Sequence, residues 1–507
     1  VTDKSMRTTQ QSSSLTDSTP VYTLTDWQGG YQSQPQEFDY WIDDIDGTIP
    51  PELQGTLFRN GPGLLEVGGH PVRHPFDGDG MVCAIAFRDG RAHFRNRFVR
   101  TEGYLAEQQA QKLLYRGVFG TQKPGGWLAN AFDLKLKNIA NTQVIYWGGK
   151  LLALWEAAAP HRLDPKTLET LGLDDLDGVL QPGEPFAAHP RIDPGWQQQG
   201  QPRFVNFGVK AGLSSTISVY EFELDGTLVQ RQSHTIPGFA FVHDFAITPN
   251  YCLFFQNPVV FNPVPYLLGW RGAAQCIRFQ TQQPTRVLVI PRHGQSAVQI
   301  LETDPCFVFH HANAFEQGDT LVVDSICYDS FPTLDPDQSY LTLNFAELPP
   351  GQLWRFQLNL STATVTRQLL ERRCCEFPTL HPHKVGQSYR YLYLGAAHAS
   401  QGNAPLQSLL KVDLVSGDRQ IWSAAPRGFM SEPVFVPYPD RSGTATDEST
   451  EDQGWLLALV YDAAHRRSDV VILEAHDLER GPVAWLHLKH HVPYGLHGSF
   501  TSEWFCS

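Results

Sequence analysis

The chain has 507 residues, 41% of them hydrophobic and 12% aromatic, and a formal charge of −14 at pH 7. That length can bury a large core, while the negative balance weighs against a nucleic-acid partner and against electrostatic capture by anionic lipid, so any membrane contact has to be apolar. Eight cysteines without a Cys-x-x-Cys argue against a disulfide framework and a thiolate zinc site, and no run approaches the roughly 18 apolar residues of a spanning helix, so the expected location is the cytoplasm.

In chain order, residues 1–20, rich in Ser, Thr and Gln, read as a disordered tail rather than a signal peptide, and 21–507 as a single domain. Thr56-Leu57-Phe58-Arg59-Asn60 is a strand between turns marked by Pro50, Pro51, Gly55 and Pro62. Asp77-Gly78-Asp79-Gly80 lacks the later bidentate Glu of a calcium loop and reads as a structural turn. An alternating strand, a polar turn and a second strand then recur seven times, at 84–98, 161–171, 220–230, 276–290, 354–368, 411–422 and 471–486. Seven such hairpins, with 42 Gly and 36 Pro to supply turns, predict an all-β fold, a seven-bladed β-propeller. Four-stranded blades of roughly 50 residues leave a surplus. It is assigned to the tail, to 101–131, to 329–351 and to an acidic loop at 440–454. Residues 104–114 have helical composition, so the insertions are expected to build a helical and loop cap over one face. Residues 253–270 begin as a strand and become an apolar run broken by Pro258, Pro263 and Pro265, either an exposed loop that dips into a membrane or a buried crossover between blades.

Polar residues interleave with the hairpins. His189, His243, His310, Glu376, Glu432 and His497 follow one another at intervals of 54, 67, 66, 56 and 65 residues, as expected when each repeat sends one side chain to a common axis. Any one of the 19 histidines, taken singly, is an ordinary core or surface residue. The shared register makes His189, His243, His310 and His497 a candidate metal centre. Imidazole is a neutral ligand for Fe, Zn, Cu or Ni, and four imidazoles leave one or two positions open for dioxygen or substrate. A ligand histidine usually donates its other ring N–H to a carboxylate, the role expected of Glu376, of Glu432 and of Glu156 at the end of the apolar strand Leu151-Leu152-Ala153-Leu154-Trp155. His311 should face the other side of its strand from His310, because strand side chains alternate; His490 and His491 fall outside the interval and read as structural. Trp155, Phe241 and Phe309 flank the axial positions, and Thr142 lies on the strand before Glu156. Lining a passage, such aromatics would accept a long, flat, apolar molecule.

From about residue 55 to residue 504 the chain resembles the carotenoid cleavage oxygenases, especially the bacterial apocarotenoid 15,15′-oxygenases. The resemblance is carried by Phe58-Arg59-Asn60-Gly61-Pro62, by residues 74–81, and by Trp155-Glu156, Phe309-His310-His311-Ala312-Asn313-Ala314, Cys375-Glu376-Phe377-Pro378, Ser431-Glu432-Pro433 and His497-Gly498-Ser499-Phe500. It implies a non-haem Fe(II) held by His189, His243, His310 and His497, three of them oriented by Glu156, Glu376 and Glu432, with Thr142 near a vacant coordination position. It further implies a tunnel that takes an apolar polyene from a membrane to which the protein is peripheral, and O2-dependent cleavage of a conjugated C=C bond into two carbonyl products without a reductant. The favoured reaction is 15,15′ cleavage of a β-apocarotenal to retinal. Stilbene cleavage, retinyl-ester isomerisation, a non-catalytic carotenoid-binding propeller and a propeller hydrolase with another metal are the alternatives.

Overall fold

A computed structural model of the chain describes residues 21–195, 200–294, 297–332, 338–439 and 450–506. The expected N-terminal tail and most of the acidic loop, residues 440–449, lie outside these residues.

Seven antiparallel sheets are arranged as the blades of a propeller. Blade 2 runs outward from the axis as Gln143–Trp147, Lys150–Leu154, His161–Leu163 and Thr170–Leu173. Blades 3 to 6 repeat the pattern, with inner strands Arg191–Asp193, Ala246–Ile247, Phe307–Gln317 and Cys375–Thr379. The two chain ends close the ring. Gly498–Thr501 pairs with Gly55–Leu64 as the innermost strand of blade 1. Asp39–Trp41 is added outside Arg91–Phe98 in the same blade, and Ile45–Gly47 outside Pro482–His487 in blade 7. At the inner edge of blade 7, Gly428–Met430 and Val434–Pro437 share one partner, Gly454–Asp462, and leave Glu432 and Pro433 out of the ladder.

An apolar core fills each gap between neighbouring sheets. Ile85 and Phe94 of blade 1 meet Ile472 and Leu486 of blade 7, all fully buried; Val287 and Leu301 of blade 4 meet Val323 and Phe356 of blade 5. Burying one such side chain contributes about 1.5–3 kcal/mol. Because both faces of a middle strand are covered, Asp79–Arg88 is buried at nine consecutive positions, whereas the outer strand Leu228–Pro237 alternates between half-buried and exposed along most of its length.

Six of the seven expected hairpins are present. The one at 276–290 is not: Ile277–Phe279 pairs with Val259–Phe261, and Thr285–Pro291 pairs with Tyr251–Gln256. The turn between them is real, with Gln283 N–H donating to the Gln280 carbonyl at 3.1 Å, but it joins an excursion to a blade rather than two blade strands. Pro258, Pro263 and Pro265, which lack an N–H, explain why the chain leaves the sheet here. The expected helix at 104–114 is instead Glu102–Ala110, capped by the Thr101 side chain and ended by Gln111 in the left-handed region. Of the short helices, Gly126–Asn130 and Pro263–Leu267 are neighbours, tied by Phe132 N–H to the Leu267 carbonyl at 2.7 Å. The 74–81 segment is structural: Asp77 accepts from Phe119 N–H, Thr121 N–H and the Thr121 hydroxyl, and Asp79 pairs with Lys137 at 2.8 Å.

Candidate metal centre

The axial histidines sit where the inner-strand ladders begin or break. His189 precedes Arg191–Asp193, with Pro190 between them favouring an extended backbone at His189. His243 precedes Ala246–Ile247, and His497 precedes Gly498–Thr501. His310 lies inside Phe307–Gln317, but the register with Thr320–Tyr328 shifts between Val308 and His311 and again before Asn313. This irregularity frees Phe309 and His310 from the ladder and aims the imidazole at the axis. His311 faces away, as expected: its Nδ1 is 2.7 Å from the Ser325 hydroxyl and its ring packs on Phe255.

One ligand nitrogen from each of His189, His243, His310 and His497 lies within 4.8 Å of the others. The Nε2 atoms of His189 and His243 are 2.9 Å apart. Three of the four Nδ1 atoms are engaged by carboxylates: His243 by Glu156, His310 by Glu376 at 2.5 Å and His497 by Glu432 at 2.8 Å. An Nδ1–H held in this way leaves the Nε2 lone pair directed inward. The Nε2 of His310 is buried and has no hydrogen-bond partner. A buried polar atom without a partner is costly, and the set of four neutral nitrogen donors fits a borderline metal ion such as iron. Burial and the three neighbouring histidines push the His189 pKa well below its ordinary value, which keeps it neutral and able to ligate. Burial also lowers His497, against the opposing influence of Glu432. At His310 burial acts in the same direction, but Glu376 outweighs it and the net shift is upward. Burial works to raise the carboxyls of Glu376 and Glu432, yet the paired histidines and further hydrogen bonds hold both below their ordinary value.

The remaining expected residues divide. Phe309 meets the His243 ring edge-on at 5.6 Å and stacks in a T with Phe307. Phe241 contacts Phe307 and Phe331, one ring further from the histidines. Together they begin an aromatic cluster that extends to Phe261 and Phe279 in the 257–284 excursion. Trp155 is buried on the other side, where it lines a small cavity under the cap with Val72, Arg116 and Lys137. Thr142 is buried at the start of the inner strand of blade 2; its carbonyl accepts from His497 N–H at 3.1 Å and its hydroxyl donates to Asn141. Glu156 lies in the turn just after the second strand of blade 2, Lys150–Leu154, rather than at an inner strand, and Thr142 precedes the inner strand of that blade.

Sequence reasoning missed the groups behind the carboxylates. Tyr328 donates its hydroxyl to Glu376 at 2.7 Å, and Arg59 donates to Glu432 at 2.7 Å. Arg59 had a signal, being the one charged residue inside a strand of residues that are nearly all buried. Phe377 had none: it takes a left-handed backbone with φ 55° and its ring lies 5.8 Å from His310 and 5.4 Å from His497. A bulky residue in that region is strained, and such strain clusters at functional sites.

The family described as retinal pigment epithelial membrane protein matches residues 31–502. The chain is 55% identical over 482 residues to the apocarotenoid-15,15′-oxygenase of Synechocystis sp., covering 95% of this chain and 97% of that protein. It is 31% identical to an isoeugenol monooxygenase of Pseudomonas nitroreducens, covering 92% and 95% of the two chains. The crystal structure of cobalt-substituted Synechocystis ACO superposes with a TM-score of 0.92 at 54% identity, over 95% of this chain and all of that one.

Proposed function

Since the chain belongs to the retinal pigment epithelial membrane protein family, that of the carotenoid cleavage oxygenases, we propose that residues 21–507 act as one propeller unit that cleaves a C=C bond of a carotenoid or apocarotenal with O2, and that its metal is Fe(II). Cleavage of an apocarotenal at the 15,15′ bond to yield retinal is the favoured reaction, on the 55% identity to the Synechocystis enzyme. The observation that carries the reading is the convergence of His189, His243, His310 and His497, three of them backed by carboxylates, at the centre of the seven blades.

In this reading His189, His243, His310 and His497 would hold the metal, and Glu156, Glu376 and Glu432 would keep the protons on the Nδ1 atoms of their partners. When bound, Fe(II) supplies the activation of dioxygen toward an electron-rich alkene. Phe309 and Phe241 offer an apolar wall beside the site, which excludes water and holds a flat polyene so that one double bond lies at the centre. Trp155 and Thr142 bound the space on the blade 2 side. Both atoms of O2 end in the two carbonyl products, so no reductant is consumed. The second reading, a short aromatic alkene as substrate, has the isoeugenol monooxygenase relative in its favour, at the lower identity of 31%.

We further place the protein at a membrane surface, on its cytoplasmic face. Among the described residues no helix is long and apolar enough to cross a membrane. The apolar stretch at 253–270 divides: Leu253, Phe254 and Phe255 are buried in blade 4, while Val264 and Trp270 are exposed. Exposed Trp127, Leu128, Phe132 and Leu134 come from the segment beside them, tied by Phe132 N–H to the Leu267 carbonyl at 2.7 Å. An exposed apolar surface of this kind suits contact with lipid that holds the substrate.

The test is anaerobic loading with Fe(II), then addition of O2 and a β-apocarotenal, with products resolved by chromatography and mass spectrometry. Two aldehydes formed only with iron are expected, and their masses identify the bond. Iron binding without cleavage of the apocarotenal, but with cleavage of isoeugenol or a stilbene, would select the second reading; a chain that binds no iron would overturn both.

A further inference from the structure

Each sheet of the propeller is a separate hydrogen-bonded unit, so the distance between histidines on different blades depends on what joins the blades near the axis. The cores between blades are apolar, and apolar contact is non-directional. It sets the packing distance without fixing where a side chain points along the axis. Between blades 3, 4 and 5 one polar knot supplies direction.

Arg191 is two residues after His189, Asp244 one residue after His243, and His311 one residue after His310. The Arg191 guanidinium donates from Nη2 to Asp244 Oδ2 at 2.5 Å and to the His311 carbonyl at 2.8 Å, and from Nε to the Phe245 carbonyl at 2.9 Å. The same Asp244 Oδ2 accepts from His311 N–H at 2.8 Å, while Oδ1 accepts from Phe245 N–H at 2.7 Å. Asp244 is buried. One ion pair therefore grips the backbone N–H and carbonyl of Phe245, the residue after Asp244, and those of His311, and ties these positions to the strand that follows His189. Charged hydrogen bonds are the stronger kind, and in a buried place they are also the more directional.

We propose that Arg191 and Asp244 are positioning residues for the metal centre, setting the mutual placement of His189, His243 and His310. The inference rests on the four-histidine reading of the site. His497 is placed by different contacts: its backbone N–H donates to the Thr142 carbonyl, its carbonyl accepts from Asn60 N–H, and Glu432, held by Arg59, takes its Nδ1. Loss of the Arg191–Asp244 pair should thus misplace three ligands while the fourth stays fixed.

Another buried ion cluster offers a control. Arg292, at the end of blade 4, donates to Asp193 and to Glu221 of blade 3, both at 2.7 Å. It joins two of the same blades, with Glu221 on the third strand, away from the histidines.

The experiment loads metal-free protein with Co(II) and records both the visible d–d spectrum and the affinity by competition with a chelator. Asp244→Asn and Arg191→Gln are each expected to weaken Co(II) binding by about 10 to 100-fold and to change the d–d bands. The double variant should be no worse than the poorer single one, because the pair acts as a unit. Glu221→Gln is expected to lower the thermal midpoint and leave the spectrum as it is. Asp244→Asn with the parental spectrum and an affinity within about twofold of the parent overturns the proposal; if that variant does not fold, Arg191→Gln is judged by the same criterion. A change of spectrum in Glu221→Gln equal to that in Asp244→Asn also overturns it, since any loosening of blades 3 and 4 would then suffice. A parent chain that takes up no Co(II) overturns the four-histidine reading itself, and this proposal with it.

Discussion

His310 and His497 lean on carboxylates that each accept from two further donors, whereas His243 leans on one that is partly in solvent. Glu376 is engaged by His310, the Tyr328 hydroxyl and Phe377 N–H. Glu432 is engaged by His497, Arg59 and Gly498 N–H. Both side chains are 14% exposed, against 32% for Glu156. The difference teaches that the carboxylates behind the ring are fixed on one side, at His310 and His497, and held more loosely on the other, at His243. A carboxylate that several donors fix cannot turn when its histidine is pulled, while one open to water can exchange partners at low cost. Thr142 and Trp155 lie with Glu156 on the blade 2 side, yet the Thr142 carbonyl accepts from His497 N–H and Phe309 packs on His243, so the residues proposed to border the substrate touch histidines of both kinds.

The comparison can be broken in order of expected effect. His310→Ala, which removes a ligand from the fixed side, should abolish metal retention and activity; metal analysis of the purified variant checks this, and full activity would end the four-histidine reading. Glu376→Gln and Glu432→Gln should each weaken metal affinity by about 10 to 100-fold with the fold intact, measured by chelator competition beside a thermal melt. Glu156→Gln should cost less than about 10-fold in the same assay, because solvent already screens that contact. Equal losses for all three would erase the distinction between the two sides. Tyr328→Phe removes one donor from Glu376 and should give a loss of a few-fold, smaller than that of Glu376→Gln.

Proton uptake at two buried histidines outside the ring should not distinguish the sides. His490, which packs on Phe38 ahead of the His497 segment, and His161, on blade 2, are both held down to about 4 by burial. As the unfolded chain takes up protons near the ordinary value of about 6.5 and the folded one does not, stability of the metal-free protein is present above that pH. It is lost progressively as pH falls toward about 4. His161→Phe and His490→Phe should each flatten this slope by a similar amount, about 3 kcal/mol at the acid end, in denaturant melts across that range. A slope flattened by only one of the two variants would mean that acid acts on one side of the ring.

Much of the site was legible because the repeat is. Strand alternation and turn residues mark six of the seven hairpins, and one polar residue per repeat falls at a near-constant interval, so four histidines and two glutamates could be assigned to the axis by number alone. Glu156 was found by its odd place after an apolar run, although it reaches His243 from the turn that follows the second strand of its blade. The 276–290 hairpin failed because a turn between two strand-like runs looks the same whether or not the runs pair with each other.

The sequence by itself determined what is local: which segments alternate, where they turn, and how many residues separate one inner strand from the next. Pairings within a blade span a few tens of residues, so their pattern is written in a short stretch of chain. Only the tertiary structure decided what crosses between blades. Arg59 meets Glu432 at a separation of 373 residues, and Arg191 meets His311 at 120; no periodicity encodes such partners. It also supplied the shift of ladder register, set by both strands together, by which Phe309 and His310 leave the ladder while His311 stays in the core.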